Sequence, residues 1–347
     1  MRKYIGYTAV SYFIFRAASL NLLTTSLAQC VKQDMWISII LGILFGFLPI
    51  ILYYKVAQKN GHLTILKSGS KLFPKGKFII NSTLGIYSFI YTLLILINIT
   101  TFIKTQYLNN TPLIIISTSI LLPIVFFLNQ KEKVIPRVAF ILSLLSILFI
   151  FTSILGLTSK IDLGNILPLL ENNPTKGIIP YLSYCTLPIF LLLIFPNDKI
   201  KKSLLIGYIL SSITIFISIF YLIGTLGIDL IMLFEYPEIQ TLKLSFNKIL
   251  YIRLANFLSL QWILDSFMFI TIGIKFTNKA FNLKRNYILP IILLILNIYL
   301  YSDIITYNKI IQKYFPITSI FILIIPLLFL YKQKKNKLEE KSFTNNT

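Results

Sequence analysis

Charge is scarce in this chain and histidine is nearly missing. Asp, Glu, Lys and Arg together make up 13% of the 347 residues, where a soluble domain carries about a quarter. A soluble fold this apolar would have no polar surface to present. His62 is the only histidine, and Cys30 and Cys185 are the only cysteines. That excludes His-based catalysis, His-cluster metal sites, a Cys metal-ligand spacing and a disulfide framework. The 12 acids form no cluster of the kind a polytopic acyl- or glycosyltransferase needs at a membrane face. The expectation is a non-enzyme without a cofactor. The first apolar run is too long for a signal peptide and lacks a small-residue cleavage site. Neither end carries a lipidation motif.

What the chain has instead is apolar length. Hydrophobic residues make up 56% of it. They gather into ten runs near 5–29, 35–57, 78–103, 112–129, 136–158, 178–196, 203–227, 254–274, 287–302 and 315–331. Each approaches the roughly 17–25 residues that span a hydrocarbon core. Backbone groups in lipid must be satisfied within their own segment, so the runs are read as helices. They are too long for strands and lack polar alternation. The fold class is therefore an all-α polytopic membrane protein with ten transmembrane helices, here called spans 1 to 10.

The formal net charge of +21 invites a nucleic-acid reading, and its distribution rejects it. If the N-terminus is cytoplasmic, 23 of the 33 basic residues fall in cytoplasmic segments and 9 in outer ones, with Arg16 inside span 1. That asymmetry sets orientation and places both termini in the cytoplasm. Some attraction to anionic lipid is also expected. Seven of the 12 acids, Asp34, Asp162, Glu171, Asp229, Glu235, Glu238 and Asp303, lie outside.

No connection is long enough for a further domain. The expected division is a transmembrane domain over 1–331 and a polar, disordered tail over 332–347. The inner loop Gln58–Lys77 carries Gly61, Gly69, Pro74 and Gly76 around a short basic amphipathic piece. The outer connection Ile228–Tyr251 contains Tyr236-Pro237 and an apolar pattern through Ile239, Leu242, Leu244, Phe246, Ile249 and Leu250. It predicts a helix on the outer surface or over the mouth of the bundle. Ten spans divide as five plus five, and an odd number per half makes the second half enter from the opposite side, the topology of inverted-repeat transporters. Such a repeat would break spans 1 and 6. Span 6 fits, because Pro180 and Pro188 bracket residues 181–187 and Pro188 removes a backbone donor at membrane depth. Span 1 carries the polar run Arg16-Ala-Ala-Ser-Leu-Asn21 without a glycine, so unwinding there is compatible but not signalled.

Two charges, Arg16 and Asp265, lie deep inside spans rather than at their ends. Arg16 is roughly 17 Å along the helix from residue 5, near the bilayer centre, where a charge costs about 2.5–3.5 kcal/mol on insertion scales. Asp265 lies at similar depth in span 8, with Gln261 four positions earlier on the same face. Arg16 can serve as a structural partner, contact a ligand or snorkel. Asp265 can be a proton or cation site or half of a fixed pair, and the single acid favours the pair. An Arg16–Asp265 ion pair is expected. Ser19 of the span 1 polar run, Tyr87 and Tyr91 of span 3, and Tyr181, Ser183, Tyr184 and Thr186 of span 6 supply hydroxyls that can line a small-molecule pocket with Arg16, Gln261 and Asp265. For each tyrosine, plain packing competes with that role. Trp36 and Trp262 are read as interfacial belt residues.

Gln33-Asp34-Met35-Trp36 at the outer start of span 2 resembles the Gly-Gln-Asp-Ala-Trp motif of the B subunits of nutrient germinant receptors of bacterial endospores. Further stretches agree in order and spacing: Thr111-Pro112, Ile161–Leu170 (IDLGNILPLL), Gly227 with Tyr236-Pro237, and Trp262–Phe267 (WILDSF). Arg137 and Arg253 also sit where that family carries arginine. The resemblance covers essentially the whole chain. It implies the fold of the amino acid–polyamine–organocation transporter superfamily, with spans 1 and 6 broken around a central pocket and spans 3 and 8 lining it. It also implies A-type membrane and C-type lipoprotein partner subunits, a place in the spore inner membrane, and the sensing of a small nutrient such as an amino acid. The alternative is a secondary transporter of amino acids or small organic cations. The chain departs from the family at Ala17, Ala18 and Ser19, where glycine is usual, at Thr24-Thr25, where proline is common, and at Lys32, in place of the motif's glycine. Thr186 and Leu187 occupy a stretch where related transporters often place a glutamate.

Overall fold

The computed structural model describes residues 2–344 apart from 60–62, 196, 246–247 and 303. Gly61, His62, Phe246 and Asp303 therefore lie outside the described residues, and the side chain of Arg253 is likewise not described. Among the described residues the regular structure is all helical. The end of the bundle at which the chain starts is called proximal, and the opposite end distal.

Span 1 is made of α1 (Arg2–Arg16), a π turn over Ser19–Leu23, and α2 (Thr24–Val31). Spans 2 to 5 are α3 (Met35–Lys59), α5 (Lys77–Gln106), α6 (Leu113–Leu128) and α7 (Val134–Leu157), with the short α4 (Ile65–Leu72) in the proximal connection. Thr64 caps α4 by accepting the Lys67 N–H at 3.5 Å. Span 6 opens as α8 (Ile178–Tyr181), passes through a π stretch over Leu182–Thr186, and continues as a tight 3₁₀ run over Leu187–Ile194. Pro188 stands at the start of that run, where its missing N–H leaves the α ladder without a donor. The first helix of each five is thus interrupted at mid-length.

Span 7 is α9 (Asn197–Leu233), and the connection after it holds α10 (Pro237–Ser245). Span 8 is α11 (Lys248–Ala280) and span 9 is α12 (Ile288–Tyr301). Span 10 begins earlier than its apolar run, as α13 (Ile304–Ser319). It contains Pro316, tightens into a 3₁₀ turn over Ile320–Leu323, and leaves as α14 (Ile324–Thr344). The tail expected to be disordered is helical as far as Thr344. Its Lys- and Glu-rich residues are good helix formers and extend an existing helix without a new nucleation cost.

Side-chain size sets the packing. α1 runs along α9 and α7, and α5 runs along α11. At Gly42 of α3, a Cβ would fall 2.5 Å from the ring carbon Cγ of Tyr181, so only glycine lets span 2 approach the start of the span 6 break. The outer surface is apolar: Phe78, Ile115, Phe126, Ile141, Phe151 and Ile213 are all exposed. Contiguous apolar surface of this kind belongs against lipid. Several helices are long and apolar enough to cross a bilayer, and the chain is a multi-pass membrane protein.

Candidate functional site

The two interrupted helices face one another. In span 1, Asn21 adopts φ +62°, which turns the chain out of the right-handed ladder. Asparagine tolerates that conformation better than other residues with a Cβ, so no glycine was needed. Ser19 Oγ donates to the Arg16 carbonyl at 2.6 Å. Asn21 is held from the side by its own amide, which donates to Asn98 Oδ1 of α5 at 2.9 Å.

Arg16 closes α1 just before this break, and Asp265 approaches it from α11. Arg16 Nε donates to Asp265 Oδ2 at 3.0 Å, and each side chain is 1% exposed. Gln261 Nε2, one turn earlier on α11, donates to the same oxygen at 3.1 Å, while Ser146 Oγ of α7 donates to Oδ1 at 3.1 Å. Tyr12 Oη lies 3.3 Å from Ser146 Oγ, and its ring faces the guanidinium at 5.9 Å. Spans 1, 5 and 8 are thereby joined through one carboxylate. Two groups are left over: Arg16 Nη1 and Gln261 Oε1 are buried without a hydrogen-bond partner.

The span 6 break has its own network. Tyr91 Oη of α5 donates to the Ser183 carbonyl at 2.6 Å, taking an acceptor the helix has lost. Ser183 Oγ donates to the Pro316 carbonyl at 2.7 Å, and Ser319 Oγ donates to Ser183 Oγ at 2.7 Å. The irregular turn of span 10 is therefore hydrogen-bonded to that of span 6. Tyr181 Oη pairs with Ser212 Oγ at 3.0 Å. Tyr87, one turn before Tyr91, reaches the Thr318 carbonyl at 2.8 Å and sits with span 10 rather than between the breaks. Tyr184 Oη and Thr186 Oγ1 in the span 6 break, and Ser26 Oγ in α2, are buried and make no hydrogen bond.

A further carboxylate enters from the distal end. Glu238 of α10 is 7% exposed, and its Oε1 accepts the backbone N–H of Asn21 at 3.0 Å and the Thr24 hydroxyl at 2.7 Å. Glu238 Oε2 is buried without a partner. Burial raises the carboxyl above the ordinary glutamate range, opposed by the hydrogen bonds from Thr24 and Asn21. α10 is anchored beside Glu238 by Tyr236, whose ring packs on Phe102 at 5.1 Å and Trp262 at 5.9 Å. Trp262 is 2% exposed and lies 4.6 Å from Phe102, which corrects its reading as a belt residue. Trp36 is partly buried against Phe220. Among the described residues no three His, Cys, Asp or Glu side chains come together as a metal-binding group.

The model of the spore germination protein family matches residues 3–303. The chain belongs to that family. No curated protein matches it in sequence. Its fold is similar to that of solved transporters. A mutant of the Eremococcus coleocola manganese transporter aligns with TM-score 0.54 at 12% identity, covering 95% of this chain and 77% of the transporter. The same transporter in complex with an aromatic bis-isothiourea substituted compound aligns at 0.56 and 11%, covering 96% and 78%. These likenesses speak for the fold alone.

Three of the stretches that carried the resemblance, Gln33-Asp34, Ile161–Leu170 and the bend at Gly227, meet at the distal end of this germination-family protein. Asp34 is fully buried, and its two oxygens accept the N–H groups of Leu170 and Asn172 at 2.8 Å each. Gln33 Nε2 donates to Glu171 at 2.5 Å. The Asp162 N–H and the Asn165 amide both reach the Gly224 carbonyl, at 2.8 and 3.1 Å, beside the bend at Gly227. Lys104 holds the Asn109 and Thr111 carbonyls before Pro112. Sequence reasoning missed Glu238, Asn98 and Ser146. An acid two residues after Tyr236 in an apolar-patterned helix was the one available signal for the first.

Proposed function

We propose that the chain is the B-type membrane subunit of a nutrient germinant receptor, seated in the spore inner membrane with both termini cytoplasmic. In this reading it works with an A-type membrane subunit and a C-type lipoprotein, and turns the binding of a small nutrient into the start of germination. Family membership supports the setting. The observation that carries the sensing role is the buried Arg16 guanidinium, paired with Asp265 yet holding one NH2 group, Nη1, without a partner beside the span 1 break.

A buried donor without a partner costs free energy until something accepts from it. A nutrient carboxylate can accept from Arg16 Nη1 or compete with Asp265 for the guanidinium. Tyr184 and Thr186 offer free hydroxyls for its other polar groups, Ser19, Tyr91, Tyr181 and Ser183 hold the surrounding breaks in place, and Gln261 steadies Asp265. Binding that favours one arrangement of spans 1, 6 and 8 over another is the sensing event.

The second reading is a secondary transporter, favoured by the fold's likeness to a solved transporter. The cargo in this reading is an amino acid or a small organic cation. The test has two parts. Deleting the gene for the A-type or C-type companion abolishes germination by this receptor's nutrient if the subunit reading holds, and a lone copy that still supports germination overturns it. Gradient-driven uptake of labelled amino acid into proteoliposomes containing the purified chain would favour the transporter.

A further inference from the structure

The contact between Glu238 and the span 1 break has the form of a ligand contact made within the chain. The break exposes the Asn21 N–H, because the backbone there is left-handed at φ +62°. Asn21 also lies three residues before the start of the eight-residue α2, whose first hydroxyl is Thr24. Helix N-termini and free N–H groups favour an anion. The anion present is the Glu238 carboxylate, 217 positions away in the chain from Asn21, with one oxygen on both donors and the other buried and unused. The carboxylate is held only by neutral donors, the Thr24 hydroxyl and the backbone N–H groups of Asn21 and of Glu238 itself, with one oxygen unsatisfied, so its desolvation is incompletely compensated.

We propose that Glu238 is a tethered carboxylate that fills an anion site at the span 1 break in the resting protein, and that a small free carboxylate binds there by displacing it. Displacement releases α10 from the mouth of the bundle. This deepens the sensing role proposed above and rests on it for its biological meaning, while the occupancy itself concerns only this chain. An α-amino acid fits: its carboxylate takes the place of Glu238 on Asn21 and Thr24, and it carries an ammonium group that Glu238 lacks and that can meet the unsatisfied Asn21 side-chain oxygen. The consequence is mechanical, because Tyr236 ties α10 to Trp262 and Phe102.

The test uses the full chain in lipid nanodiscs with Trp36→Phe, leaving Trp262 as the only tryptophan. Trp262 is buried against Tyr236, so its emission reports α10 docking. Glu238→Ala is expected to shift that emission to the red and to lower the melting temperature. Sodium acetate should reverse both, and sodium chloride of equal ionic strength should not. Acetate should act on Glu238→Ala at about ten-fold lower concentration than on the parent, where it must compete with the tethered group. Glu238→Gln keeps an oxygen for both donors and is expected to stay docked and indifferent to acetate. If Glu238→Ala is too unstable to purify, Thr24→Ala removes one donor and should move the emission in the same direction. Unchanged emission in both variants, or an acetate effect equal in Ala and Gln variants, overturns the proposal. Acetate rescue in vitro combined with germination that ignores Glu238→Gln and Glu238→Ala would keep the tethered site and remove the sensing role instead.

Discussion

Arg16 and Asp265 stand 249 positions apart in the chain and meet at 3.0 Å, both almost wholly buried. Neither would be stable there alone, since an uncompensated charge in a low-dielectric interior costs several kcal/mol. Asp265 is satisfied beyond the pair by Gln261 and Ser146, whereas Arg16 keeps an unused donor. The carboxylate is the fixed member and the guanidinium the one able to change partners.

The first prediction follows from that asymmetry. Arg16→Ala or Asp265→Ala should each destabilise the protein by about 3–5 kcal/mol, because each strands a buried charge. The double replacement should cost less than the sum of the two. Thermal unfolding of the purified chain in detergent checks this, with the level of the protein in membranes as the second measure. Additive losses would mean the contact carries no coupling.

The second prediction concerns the distal clamp. Asp34 is the only acceptor described for the Leu170 and Asn172 N–H groups, and Leu170 itself sits at φ +60°. Hydrogen bonds to a charged acceptor contribute about 1.5–3 kcal/mol each. Asp34→Ala should therefore lower stability by about 3 kcal/mol or more, and Asp34→Asn, which keeps one oxygen, by roughly half. Limited proteolysis in the 161–174 segment should speed up in the same order.

The pair and the helix count were legible for one reason. Lipid tolerates few charges, so two ions at mid-span, Arg16 and Asp265, point to each other, and apolar length alone marks the spans. The break in span 6 was written in its prolines. The break in span 1 was not, because Asn21 substitutes for a glycine. The tie between the irregular turn of span 10 and the span 6 break joins Ser183 and Ser319 across the bundle, which no local pattern encodes. Glu238 was hidden because an acid in an outer connection looks the same in sequence whether solvated or buried. Trp262 was misplaced because position along a span does not reveal which face packs inward.

The third prediction tests sidedness. With both termini cytoplasmic, Ser70 in α4 and Asn173 in the connection after span 5 face opposite compartments. On a background without Cys30 and Cys185, Ser70→Cys and Asn173→Cys should react with a membrane-impermeant maleimide from opposite sides of oriented vesicles. Reaction of both from the same side would overturn the proposed topology.

The last prediction links the backbone to the tethered carboxylate. Gly227 lies within α9 at φ +70° and ψ 166°, a conformation essentially reserved for glycine. A Cβ there would also come within 3.1 Å of Asn165 Oδ1, whose amide nitrogen is engaged with the Gly224 carbonyl. The bend redirects the last turns of α9 so that Pro237 and Glu238 arrive over the span 1 break. Gly227→Ala should cost about 1–3 kcal/mol through backbone strain. It should also disturb a contact some ten residues downstream that it never touches. The expected outcome is a lower melting temperature together with a red shift of Trp262 emission, as Tyr236 loses its register over Trp262. Asn165→Ala, by contrast, removes the crowding atom but leaves the dihedral strain, so combining it with Gly227→Ala should recover only part of the loss. A Gly227→Ala protein with the melting temperature and emission of the parent would show that the bend is set elsewhere, and that the docking of α10 does not depend on it.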